Sequence, residues 1–136
     1  MFGLSRRLLA AALFFGGLLV AGAPVADAQQ PQLRSLIFRN NCGTQVRLLV
    51  RHAEDTRYYT TTGFYTIRPN TSTRLTERGD NIMHMTGYPL FFFAESGNGR
   101  TWSSPEVTVA HNGINYRMVR ANQTVSGDSI LFGVGC

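Results

Sequence analysis

From residue 36 onward, apolar positions recur with a period of two, in short runs separated by turn-forming residues. Gln45 to His52 is the plainest case. Val46, Leu48 and Val50 fall on one face and Arg47, Leu49 and Arg51 on the other, the alternation of a half-buried strand. Leu36-Ile37-Phe38 opens an earlier strand that ends at Asn40-Asn41-Cys42-Gly43. Arg57 to Thr62, rich in Tyr and Thr, suits a pleated surface. Gly63 follows, then Phe64-Tyr65-Thr66-Ile67, and Arg68-Pro69-Asn70 reads as a turn. Thr71 to Glu77 is a further strand, closed by Arg78-Gly79-Asp80-Asn81.

Ile82 to Thr86 and Leu90 to Glu95 are apolar runs on either side of Gly87-Tyr88-Pro89. Phe91-Phe92-Phe93 has no polar alternation, so both of its faces must be covered, or one must meet a ligand or partner. Val107-Thr108-Val109 and Ile114 to Val119 flank His111-Asn112-Gly113, and Asn-Gly between alternating runs is a strong hairpin signal. Ile130 to Val134 is the last strand. Strands at intervals of about 8–12 residues, with no helical periodicity, predict one all-β domain, a single antiparallel β-sandwich or small barrel.

The first 28 residues follow a different pattern. Arg6 and Arg7 precede an apolar run from Leu8 to Val20, and Ala26-Asp27-Ala28 has the small-x-small form of a cleavage site. A membrane-spanning helix needs about 20 apolar residues, more than this run supplies. Residues 1–28 are therefore expected to be a cleaved signal peptide, 29–33 a disordered leader and 34–136 the β domain. The expected location is the periplasm or the medium of a bacterium, with no transmembrane segment after cleavage. An oxidising compartment makes Cys42 and Cys136 a predicted disulfide, closing a loop of about 94 residues.

The charge adds little. All thirteen basic residues are arginine, and beyond residue 28 eleven arginines face seven acids, a net charge of +4. The arginines are scattered from Arg34 to Arg120 rather than gathered in a run, so nucleic acid is not an expected partner.

Candidate chemistry is sparse. His52, His84 and His111 match no zinc signature, and His52 and His111 are expected at the surface. Met83-His84-Met85 offers soft copper ligands. A strand, however, turns His84 away from the two methionines, so core packing is the expected role and these three remain weak metal candidates. There is no Gly-x-Ser-x-Gly elbow. No cofactor, catalytic set or enzyme activity is expected. Tyr58, Tyr59, Tyr65 and Trp102 are the candidate binding residues, because Tyr, Trp and Arg dominate protein hot spots. The adjacent pairs Tyr58/Tyr59 and Phe64/Tyr65 must each face opposite sides of a strand.

Asn40-Asn41, Gly63-Phe64-Tyr65, Pro69, Phe91-Phe92-Phe93-Ala94 and the Gly-rich turn from Gly97 to Trp102 together carry a resemblance. Over about residues 36–110 the chain resembles small exported bacterial proteins grouped as domain of unknown function 1036. The usual cysteine after the Pro turn is replaced here by Asn70-Thr71-Ser72. The resemblance implies a compact extracytoplasmic β fold and brings no activity with it. The expected function is a non-catalytic module that binds an envelope protein or assembles with itself. Carbohydrate binding through the same aromatics is the alternative, and a small copper carrier or enzyme a third.

Overall fold

The computed structural model describes residues 30–136, so the expected signal peptide lies outside the described residues. Among them are thirteen strands and no helix, in agreement with the all-β expectation. One sheet has the order β12 (Thr124–Ser126), β13 (Ser129–Gly135), β1 (Leu33–Asn41), β4 (Thr71–Arg74), with β7 (Met83–Met85) pairing the front of β1. The other runs β10 (Val107–His111), β11 (Ile114–Arg120), β8 (Phe91–Ser96), β2 (Val46–Ala53), β3 (Tyr59–Ile67), with β9 (Thr101–Trp102) on β8. A hairpin of β5 (Thr76–Glu77) and β6 (Asp80–Asn81) stands apart.

Every described strand pair is antiparallel except one. β1 and β13 run parallel, in register from Ser35 opposite Ser129 to Asn41 opposite Gly135. The next rung of that ladder is covalent. Cys42 and Cys136 form the predicted disulfide, with Cα atoms 5.0 Å apart and 94 residues apart in sequence. Beside it, the fully buried Asn40 reaches the carbonyls of Thr44, Ile67 and Arg68 at 3.0–3.2 Å and accepts from the Cys42 N–H at 2.8 Å. One side chain thus ties the end of β1 to the corner that leaves β3.

The main core lies between the sheets. Leu36 and Phe38 of β1, with Ile130, Phe132 and Val134 of β13, face Val46, Leu48 and Val50 of β2 and Phe92 and Ala94 of β8. The rings of Phe38, Phe92 and Phe132 meet at 5.2–6.2 Å between centroids, at the tilted and edge-on angles that aromatic quadrupoles favour.

The expected turns take the conformations their residues suit. Asn112 and Gly113 (φ 52° and 82°) join β10 to β11, and Arg78 and Gly79 (φ 55° and 88°) join β5 to β6. Both are the positive-φ pairs of tight hairpins. The expected strand over 71–77 is broken at Leu75, which drops into the core between β4 and β5. β12 and the parallel pairing are additions that local pattern does not signal. The ladder also starts one residue before position 34: Leu33 pairs with Met85, and Gln32 exchanges backbone and side-chain bonds with Thr86.

Gly133 sits opposite Arg39 in the parallel ladder, and a Cβ there would lie 2.3 Å from the Arg39 carbonyl oxygen. Gly133→Ala is expected to lower the unfolding free energy by more than about 2 kcal/mol, within the range of strong core lesions. Gly43→Ala, with open space around it, should stay within about 0.5 kcal/mol of the parent in the same urea titration.

Candidate functional site

The second sheet carries apolar side chains on its far face as well, and a bulge explains how they are covered. β3 pairs with β2 at Tyr65–Leu48 and then at Gly63–Leu49, leaving Phe64 as the extra residue. Gly63 has φ 138°, and a Cβ on it would press within 2.7 Å of the Leu48 carbonyl, so only glycine fits this close strand approach. The bulge bends β3 and turns Phe64 away from the main core.

Phe64 then meets the opposite edge of its own sheet. Its ring lies 5.3 Å from Tyr116 on β11, 6.1 Å from His111 on β10 and 6.3 Å from Phe93 on β8. β3 and β10 are the two ends of the strand order, so the sheet is rolled until its edges approach. Inside the roll, Leu49 and Met118 are fully buried, although neither belongs to the main core. On the same face the Phe93 and Tyr116 rings meet at a tilt, 5.1 Å between centroids. The molecule thus has a second, smaller apolar cluster, whose aromatic rings are partly exposed.

Arginines border this cluster. The Arg47 guanidinium lies 3.9 Å above the Phe64 ring and is ion-paired with Glu95. Arg51 lies 4.9 Å above Tyr59, whose ring is tilted against Phe91 at 6.2 Å. The Tyr59 hydroxyl donates to the Pro89 carbonyl at 2.7 Å. Burial pushes the Tyr59 pKa up, and the positive charges of Arg51 and Arg120 oppose that shift. Arg51 and Arg120 are the two cross-strand neighbours of Phe91, one on each side, and so emerge on one face.

The four binding candidates from the sequence do not share one surface. Tyr58 is 65% exposed in the loop before β3, with Arg57 5.6 Å over its ring. Tyr59 belongs to the rolled face. Tyr65 and Trp102 instead pack against the main core. The Tyr65 hydroxyl is buried without a hydrogen-bond partner, and burial, helped by Glu77, pushes its pKa up to about 12. Trp102 carries Arg100 5.2 Å over its ring. The rolled face adds members that are not among those four candidates: Phe64, Phe91, Phe93, Tyr116, Arg51 and Arg120. The unbroken Phe91-Phe92-Phe93 run was their signal, since alternation sends Phe92 into the core and its neighbours to the other side.

The histidines correct the surface expectation. His52 is buried at a junction between the sheets, because its ring finds two partners there. Nδ1–H donates to the Met83 carbonyl at 2.8 Å, and Nε2 contacts the Thr62 hydroxyl at 2.8 Å. His84 is also fully buried. It accepts from the Ala53 N–H at 3.0 Å through Nδ1 and donates to the Tyr88 carbonyl at 2.8 Å through Nε2. Both nitrogens of His84 are thus engaged, while Met83 and Met85 lie half-buried on the opposite side of β7. The predicted alternation of Met83-His84-Met85 holds, with the histidine taking the interior position. His111, expected in solvent, packs half-buried against Phe64.

No family model, curated protein or solved structure matches this chain.

Two measurements follow from this arrangement. Leu49→Ala should cost about 2–5 kcal/mol, the range of a fully buried leucine, although Leu49 lies outside the main core. Chemical denaturation of Leu49→Ala beside Leu48→Ala checks the comparison. Burial lowers the pKa of His52 and of His84 below 6.5, despite opposing pulls from the Met83 and Tyr88 carbonyls. The unfolded chain therefore binds more protons than the folded one just below pH 6.5, and stability must rise with pH there. Stability is complete above pH 6.5 and is lost as the pH falls below it. The slope per histidine is at most about 1.4 kcal/mol per pH unit. A His84→Gln variant should flatten that slope in urea titrations between pH 7 and 5, because the His84 proton would be forced against the Ala53 N–H.

Proposed function

We propose that this protein is an exported, non-catalytic β module that binds another protein of the cell envelope through the rolled face of its second sheet. The observation that carries this reading is the composition of that face: partly exposed Tyr59, Phe64, Phe91, Phe93 and Tyr116, bordered by Arg47, Arg51 and Arg120. Tyr and Arg beside a preformed apolar cluster are the side chains that dominate protein-binding energy. The rings already pack on one another, so little conformational entropy is lost when a partner covers them.

Carbohydrate binding is less favoured by the same geometry. A sugar needs an open ring face to stack on. Arginine guanidinium groups lie over the rings of Tyr58, Tyr59, Phe64 and Trp102 at 3.9–5.6 Å. The resemblance to domain of unknown function 1036 is kept as part of this proposal, and it too points to an extracytoplasmic β domain.

Site-specific photo-crosslinking in intact cells tests the reading. A photoreactive side chain at Ile114, 56% exposed beside the rolled face, should give discrete higher-mass products. The same group at Ser72, exposed on β4 of the other sheet, should give none. Equal yields at the two positions, or no product at Ile114, would reject the assignment.

A further inference from the structure

Arg51 and Arg120 stand out from the other basic residues of the rolled face. They flank Phe91 on adjacent strands, so their Cα atoms are about 10 Å apart, two strand spacings. Guanidinium groups on side chains of that length can close on one small group between them. Arg47, farther along β2, is already ion-paired with Glu95. Neither Arg51 nor Arg120 has an acidic partner among the described residues.

The acids nearest in sequence or on the neighbouring strand are engaged elsewhere. Glu54 accepts from the Met83 N–H at 3.0 Å. Asp55 accepts from the N–H groups of Arg57 and Tyr58 at 2.7 and 2.9 Å, and Glu95 holds Arg47. The support beneath the pair is rigid. Arg51 rests on the Tyr59 ring, Tyr59 leans on Phe91, and the Tyr59 hydroxyl is fixed to the Pro89 carbonyl.

We propose that Arg51 and Arg120 form a two-armed carboxylate site, and that its occupant is an acidic side chain of the partner protein. The inference rests on the reading of the rolled face as a protein contact. Arginine is the side chain suited to this task, because its planar fork matches the two oxygens of a carboxylate. The aromatic floor lowers the local dielectric and strengthens the pairing relative to a fully solvated bridge. An acidic residue next to an apolar one would place its carboxylate on the arginines and its neighbour on Phe91 or Phe93.

The test is a nuclear magnetic resonance titration of the purified, 15N-labelled protein with a hexaglutamate peptide at low salt. The Nε–Hε signals of Arg51 and Arg120 should move together, and those of Arg39, on the other sheet, should stay put. Arg51→Gln and Arg120→Gln should each weaken binding at least tenfold, while Arg39→Gln leaves it unchanged. Arg120 is exposed, so its variant probes the site without loading the fold. Three outcomes overturn the proposal: unmoved arginine signals, equal affinity in all three variants, or inorganic phosphate displacing the peptide at equal concentration. If the arginine signals stay still while Ile114 crosslinks as expected, the contact face stands and the carboxylate site falls. If the peptide binds through both arginines while Ile114 crosslinks nothing, the carboxylate site stands without the envelope partner.

Discussion

The fold hangs on one ladder, the parallel pairing of β1 with β13. It places β1 and β13 side by side, and the rest of the first sheet is built on that pair. β4 and β7 complete the first sheet by lying on β1, and β12 lies on β13. The core between the sheets draws Leu36, Phe38, Ile130, Phe132 and Val134 from these same two strands. The disulfide at Cys42–Cys136 extends the ladder by one rung, and Asn40 secures the neighbouring corner. Gly133 marks how close the two backbones lie, since no larger residue fits against Arg39.

The second sheet solves a different problem. A sheet in a sandwich ordinarily buries one face and shows water the other. β8 places Phe92 and Ala94 inward yet still carries Phe91 and Phe93 outward. Rolling the sheet covers much of that outward surface with its own edges. The bulge at Phe64 makes the roll effective, because it delivers a ring from β3 to Tyr116 and His111 at the far edge. Leu49 and Met118 become interior as a result. The rings above them stay partly open, and the arginines gather there.

Local pattern revealed the elements whose causes are local. The alternation from Gln45 to His52, the Asn112-Gly113 hairpin and the Cys42–Cys136 pair are all found where residue chemistry places them. Long-range facts were hidden for a physical reason. Nothing in Ser35–Asn41 distinguishes a parallel partner from an antiparallel one. The two-residue strands β5 and β6 are too short to show a period. The position of the histidines depended on partners about 30 residues away, Met83 for His52 and Ala53 for His84. The candidate aromatics could not be sorted by face for a related reason: Tyr65 and Trp102 look like Tyr59 in sequence, and only the bulge and the roll decide which ring faces which side.

The first–last pairing also governs when the chain can become a folded object. Ser35 and Ser129 are partners almost a full domain length apart, and no shorter piece of chain can supply β1 with its parallel neighbour. Contacts of such high sequence separation give a large contact order and slow folding, on a scale of about milliseconds to seconds. A chain emerging from its N-terminal end must hold β1 with one edge bare until its last strand arrives. During that interval Leu36 and Phe38 are exposed on a strand whose hydrogen-bonding groups are unspent, the condition under which strands recruit foreign edges. β1 therefore depends on a segment almost a hundred residues away: a truncation before Ile130 would cost more than the length removed, because it strands β1 along with β13.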